Sequence, residues 1–186
     1  MSAVYLLLLL LPVISAQTFH WGPCPTPNVQ SNFTLEWYMG EWYEIEKLPD
    51  IIGRGVCIKE NYTLGGDGII QVLYSQVWDP QNYKDKRWFL EETAVVMDPQ
   101  EPAKLGVNLL SFLPYMPYWV LSTDYTNYAI AYSCKDVFGA FHFDFAWILA
   151  RTPSLPPLLV QSAKQLLTSQ GIGISKMTPT DQSCKH

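Results

Sequence analysis

The sequence predicts an all-β protein: an eight-stranded up-and-down antiparallel barrel, with one α-helix after the last strand packed against the outside. Three observations predict it. Phe141–Arg151, FHFDFAWILAR, carries a large apolar residue at every second position from Phe141 to Leu149, the period of a strand with one dry face. Seven further strand-like runs precede it, joined by short turns. That order suits hairpin-linked neighbours better than the longer crossing connections of a sandwich. The 14 prolines speak against long helices. Taken alone, the aromatic alternation also fits a filled β-sandwich core; the hairpin order favours a barrel, and eight strands make the smallest barrel able to hold one small ligand.

The elements follow in order. Gln17 to Gln30 is Pro-rich and reads as an irregular arm that Cys24 pins down. Asn32 to Met39 suggests a short helical turn before the first strand, Gly40 to Glu46, which ends near Pro49. Val56 to Leu64 alternates as the second strand and closes in Gly65-Gly66-Asp67-Gly68, a hairpin signal. Ile69 to Trp78 is the third, and Asp79 to Asn82 a loop. Lys86 to Val96 and Ala103 to Leu110 are the fourth and fifth. After Ser111 to Pro117 comes the sixth, Tyr118 to Ser122. Thr123-Asp124-Tyr125-Thr126 turns the chain into the seventh, Asn127 to Cys134, and Phe141 to Arg151 is the eighth. Ser154 is placed to cap a helix with Pro156-Pro157 in its first turn. Leu159, Ala163, Leu166 and Leu167 form its apolar stripe, and Gly171 ends it.

At 186 residues the chain is expected to be one domain over residues 17–186, the barrel from about 40 to 151 and the helix from about 155 to 170. Residues 1–16 read as a secretory signal, with a short apolar core and small residues Ser15-Ala16 before Gln17. The run is too short to span a bilayer. A secreted, extracellular protein follows, and Cys24, Cys57, Cys134 and Cys184 then suggest two disulfides rather than a metal site, with three pairings open. Asn32 and Asn61 lie in Asn-x-Thr sequons and are expected glycan acceptors. The net charge of −5 and the lack of a basic run exclude a nucleic-acid footprint.

Up-and-down order brings three separated signals to one end of the barrel: Gly40-x-Trp42, Thr123-Asp124-Tyr125 and Arg151. Trp42 is placed to plug that end with the Arg151 guanidinium stacked on its ring, and Asp124 to accept backbone N–H groups in its turn. These three signals match, in order and spacing, the three motif regions of the lipocalin family. Longer blocks, among them GEWYEIEKLP, PYWVLSTDYTNYAIAYSC and FHFDFAWILAR, are also similar to members of that family. The resemblance runs from Gln17 to near the C-terminus. It implies the lipocalin fold and the pairing of Cys24 with Cys134 and Cys57 with Cys184. Each bond would close a loop of over a hundred residues, worth at most roughly 5 kcal/mol on the entropic model.

Parity assigns the inside. If Asn61 carries a glycan it points out, so Ile58, Glu60 and Tyr62 point in, and Ile70, Val72 and Tyr74 share one face of the third strand. The apolar face of the eighth gives Phe143, Phe145, Trp147 and Leu149. The resemblance places Tyr62, Tyr74, Leu109, Tyr118 and Trp147 on the wall of a ligand pocket. Such a wall suits a lipid with one polar end, a steroid, a fatty acid such as arachidonate, a retinoid or a bilin, with no cofactor or metal. The opposite, open end carries apolar loop residues: Ile51, Ile52, Phe112, Leu113, Met116 and Phe138. They are expected to touch a membrane or lipoprotein surface, or to fold over the mouth as a lid.

No catalytic set is legible. His20, His142 and His186 read as isolated, with His142 on the outward face. Glu44 and Glu46, two apart, read as surface or rim carboxylates sharing a face. An enzyme of the same family uses a free cysteine thiolate, whereas all four cysteines here are expected to be paired. The leading expectation is a carrier of small hydrophobic ligands, not an enzyme. The alternatives are a lipid-protective antioxidant or enzyme acting on bound lipid, and a partner-binding module with a packed barrel.

Overall fold

A computed structural model describes residues 18–50, 53–78, 87–109 and 112–184. The segment expected to be a signal, residues 1–16, and the loop residues Ile51 and Ile52 lie outside them. Eight antiparallel strands close on themselves: β2 Gly40–Lys47, β3 Val56–Leu64, β4 Ile70–Val77, β5 Arg87–Val96, β6 Lys104–Asn108, β7 Met116–Thr123, β8 Tyr128–Val137 and β9 Phe141–Ala150. Each pairs with the next, and β9 returns to pair with β2. This is the predicted barrel, strand for strand, with no end moved by more than three residues. The glycine turn closes β3 onto β4, the Gly65 N–H donating to Ile69 O at 2.8 Å and the Gly68 N–H to Gly65 O at 3.1 Å.

The arm read as irregular contains a further strand, β1 Thr18–Trp21, paired with β9 from Thr18↔Asp144 to Trp21↔Phe141. Four residues show too little alternation to be read as a strand. The pairing exists because β2 covers β9 only from Trp147 to Ala150, which leaves the other half of that edge open. A two-residue strand, β10 Thr178–Pro179, does the same for β2, pairing with Lys47 and Glu46 where β3 no longer reaches. Cys24–Cys134 and Cys57–Cys184 are the two disulfides, and they tie these two end segments to the barrel.

Helix α2, Pro157–Ser169, packs on the outside. Ala163 and Leu167 are buried against Ile148, Ala146 and Ile130. Two details differ from expectation. Pro156, not Ser154, precedes the first helical residue, because two successive prolines fix an extended backbone there. Leu159 is exposed and Val160 takes its place against the barrel, on the face it shares with Ala163 and Leu167 at helical spacing. Gly171, with φ +80°, ends the helix.

One end is sealed. The short helix α1, Leu35–Tyr38, runs under the barrel and Trp42 rises from its floor, fully buried. Trp42 Nε1 donates to Tyr38 O at 2.8 Å. The Arg151 guanidinium lies 3.7 Å above the Trp42 ring and donates to four carbonyls, those of Glu41, Trp37, Tyr38 and Tyr125, at 2.9 to 3.3 Å. Gly40 has φ +93°, and a Cβ there would stand 3.3 Å from Arg151 Nη1, so this position calls for glycine. Asp124 Oδ1 accepts the N–H groups of Thr126, Asn127 and Tyr128 at 2.8 to 3.1 Å. Arg151→Ala removes this donor from the carbonyls of Glu41, Trp37 and Tyr125, leaves Tyr38 O only its bond from Trp42, and is expected to cost about 2–4 kcal/mol in urea unfolding with an unchanged m-value. Arg151→Lys, which keeps the charge but loses the planar fork, should fall between it and wild type.

Candidate functional site

Above this floor the barrel encloses a cavity of about 270 Å³. Of the residues predicted for the pocket, Tyr62, Tyr74, Leu109, Tyr118, Phe145 and Trp147 line it, together with Met116, Val107 and Ser133. Phe143 and Leu149 do not. Phe143 sits at the mouth in a ring cluster with Phe19 and Phe141, at centroid distances of 5.9 and 5.8 Å. Leu149 belongs to the packed floor beside Trp42 and Ala129. The drier face of β9 is not the aromatic one. His142, Asp144, Ala146 and Ile148 point outward yet are buried, because β1 and α2 cover them. The aromatic residues on the inner face border empty space and stay half-exposed to it.

Two of the three histidines expected to be isolated are brought together by β1, while His186 lies outside the described residues. His20 and His142 stack at 5.3 Å, and their Nε2 atoms stand 3.5 and 3.6 Å from Asp144 Oδ2. His142 Nδ1 is 2.8 Å from Gly22 O, and the Tyr132 hydroxyl donates to Asp144 Oδ1. Cys134 lies beside this group, but its sulfur is bonded to Cys24. The cluster therefore offers no thiolate, and it faces away from the cavity.

Sequence reasoning missed the polar side of the cavity. A bulge in β2 shifts the register between Glu44↔Leu149 and Glu46↔Ile148, so two residues of equal parity leave on opposite faces. Glu44 is thereby buried in the cavity wall, while Glu46 meets Lys164 of α2 outside at 2.5 Å. Glu44 accepts from the Thr180 hydroxyl and lies 3.3 Å from Lys47 Nζ, which also pairs with Asp50 at 3.1 Å. Glu60 on β3 accepts from the Tyr62 hydroxyl, and Glu92 on β5 faces the same space. The inward face of β5 reads Trp88, Leu90, Glu92, Ala94, Val96, a carboxylate amid an apolar alternation. That misplaced charge was the available signal.

Burial raises all three carboxyls, disfavouring the charged form. Glu44 is pushed up to about 7, with Lys47 and Thr180 opposing. Glu92 is pushed up to about 8, first by burial and then by Glu60. Glu60 is raised by burial despite its Tyr62 bond. At the cavity bottom the hydroxyls of Tyr62 and Tyr118 lie 3.0 Å apart and those of Tyr118 and Tyr38 3.1 Å apart, all three held well above the ordinary phenol range by burial.

The sign of the pH dependence follows. A carboxyl that keeps its proton longer when folded stabilises fully below its unfolded value near 4.5 and loses that contribution as pH rises through about 8. Wild type and Glu92→Gln should melt alike near pH 4.5. At pH 9 the variant should be the more stable by on the order of 1–3 kcal/mol. Thermal melts at the two pH values, with equal differences at both as the contrary result, check this.

Residues 39–183 match the model of the lipocalin / cytosolic fatty-acid binding protein family. The chain is 46% identical to apolipoprotein D of Mus musculus over 167 residues, covering 90% of this chain and 86% of that one. It is 46% identical to apolipoprotein D of Oryctolagus cuniculus over 183 residues, covering 95% of each. Among solved structures it is similar to insecticyanin of the tobacco hornworm Manduca sexta, with a TM-score of 0.73 at 26% identity over 89% of both chains. Apocrustacyanin C1 gives 0.74 at 20% identity over 90% of this chain and 92% of that one, a likeness of fold. With its closed eight-stranded barrel, the family match over residues 39–183 and 46% identity to these relatives over at least 90% of its length, the chain belongs to the lipocalin family.

Proposed function

We propose that this protein is a secreted carrier that holds one small hydrophobic ligand inside its barrel, rather than an enzyme. The reading rests on one observation: a cavity above a sealed floor, lined by Trp147, Phe145, Tyr118, Leu109 and Val107, in a chain of the lipocalin family. Secretion is supported by the apolar run in residues 1–16 and by two disulfides. Asn32 and Asn61 are exposed, as glycan acceptors require.

About 270 Å³ is room for roughly nine water- or methylene-sized groups at about 30 Å³ each. Burying nine methylenes is worth on the order of 7 kcal/mol gross. Lost translational and rotational freedom removes several of these, leaving a carrier of modest affinity. A lipid longer than this seats one part in the cavity and extends through the mouth, a slender chain or steroid by less than a bilin.

The rim supports contact with a membrane or lipoprotein surface, as does the name of the apolipoprotein D relatives. Phe112, Leu113 and Phe138 stand exposed at the open end. Met116, expected among them, lines the cavity instead. No helix among the described residues is long and apolar enough to cross a membrane.

Arachidonate, progesterone and retinol should quench the intrinsic Trp fluorescence saturably at one to one, with about tenfold weaker binding in Trp147→Ala. No saturable quenching by any of them would refute carriage. A Phe112→Ser, Leu113→Ser, Phe138→Ser variant should pellet with phosphatidylcholine vesicles several-fold less than wild type; equal pelleting would remove the rim from the mechanism.

A further inference from the structure

The cavity is two-sided, and strand order separates the sides. Going round the barrel, β2, β3, β4 and β5 contribute Glu44, Glu60, Tyr74 and Glu92 to the lining. The other half, β6 to β9, contributes chiefly apolar and aromatic groups, among them Phe145 and Trp147, whose rings stack at 6.3 Å with a 12° interplanar angle. Cross-strand register puts the polar groups near each other: Glu60 is paired with Tyr74, and Val72, two positions from Tyr74 and on the same face, with Glu92.

Two features of the acidic half are unsatisfied among the described residues. Tyr74 is 6% exposed, its ring packs on Trp88, and its buried hydroxyl has no hydrogen-bond partner. Glu92 has neither a hydrogen bond nor a basic neighbour, only the like charge of Glu60. No lysine or arginine among the described residues lines the cavity. Lys47, at its edge, is already held between Glu44 and Asp50. A buried hydroxyl and buried carboxylates without donors are costly, and groups that supply donors or positive charge relieve them. An aromatic wall facing such carboxylates is the complementary surface for a cation.

We propose that the acidic wall of Glu44, Glu60 and Glu92, with Tyr74, receives the ammonium end of a cationic amphiphile, whose hydrocarbon part lies against Trp147 and Phe145. This deepens the carrier reading and rests on it. The Tyr74 oxygen accepts an ammonium N–H. Glu92, which keeps its proton without a cation beside it, releases it to solvent as the cation enters, so that the carboxylates accept the remaining N–H groups while the aromatic rings offer their π-faces from across the cavity. A carboxylate headgroup entering the same wall would add a like charge where charge is already disfavoured. Fatty acids are therefore excluded from the head-inward pose, and chain length alone does not set the choice of ligand.

The test compares dodecylamine, dodecan-1-ol and dodecanoate, three ligands of one chain length, with the full protein at pH 7.4, below micellar concentrations, by Trp quenching and calorimetry. Dodecylamine should bind about tenfold or more tighter than dodecanoate, with the alcohol between. The ratio should shrink to about twofold in Glu60→Gln/Glu92→Gln, through weaker amine binding and tighter dodecanoate binding. Tyr74→Phe should weaken the amine and the alcohol by several-fold each. Because the double variant gains one ligand as it loses another, misfolding cannot mimic the result. Dodecanoate binding as tightly as dodecylamine in wild type would overturn the proposal and leave the carrier reading standing. So would an amine preference that survives in the double variant. Saturable binding by none of the three would overturn both.

Discussion

The guanidinium of Arg151 on the ring of Trp42 is the contact on which the rest of the structure depends. An up-and-down barrel is a tube, and a tube open at both ends is wet. Sealing one end requires ordering backbone that the sheet does not satisfy. The short helix α1 ends under the barrel with the carbonyls of Trp37 and Tyr38 unpaired by the helix itself. Arg151 takes both, adds those of Glu41 and Tyr125, and rests its plane on Trp42. Segments more than a hundred residues apart in sequence are thereby joined by one side chain. The floor so made carries Tyr38, Tyr62 and Tyr118, whose hydroxyls end the packed region and begin the cavity.

At the open end the barrel departs from regular pairing, and the departures create the site. β2 pairs with β3 only through Tyr43↔Lys59 before the two diverge. The C-terminal segment fills the gap: Gln182 donates to the carbonyls of both Glu44 and Ile58, and Thr180 to the Glu44 carboxylate. Cys57–Cys184 holds that segment in place. The bulge beside Glu44 turns its carboxylate inward at the same point. On the other side of β2, β1 covers the part of β9 that β2 abandons, and Cys24–Cys134 anchors the arm that carries it. Each disulfide therefore serves a place where the sheet has been opened, rather than the regular barrel between them.

Most of the fold was legible because it rests on local periodicity. Gly65-Gly66-Asp67-Gly68, the alternation of Val56 to Leu64 and the run from Phe141 to Arg151 each fix an element without help from distant residues. The resemblance of the three motifs to one family supplied what periodicity cannot, the pairing of the cysteines. What was not legible depends on pairing. Glu44 and Glu46 have the same parity, and only a bulge opposite β9 separates them. His20 and His142 lie 122 positions apart, and only the short strand β1 stacks them. On β9 the period was right but the ranking of its faces was not. Alternation shows that two faces differ; which one is drier depends on what covers each, and a cavity covers less than a helix does.

This last point bears on why the acidic wall exists in a folded protein at all. In a filled core, a carboxylate such as Glu92 would be desolvated with no compensation, and mutational loss of several kcal/mol would follow. Beside a cavity its carboxyl borders open space, and keeping its proton to about pH 8 limits the cost. Glu44 is buried more completely, and it is also the one with a lysine at 3.3 Å and a hydroxyl donor. The three acids thus form a gradient, from one satisfied by the protein to one satisfied by nothing described in it. A group that the protein leaves unsatisfied, adjoining empty volume, retains its interaction energy for whatever enters. The barrel's size determines how much apolar surface a ligand buries, and the unsatisfied end of the gradient determines which headgroup makes that burial favourable.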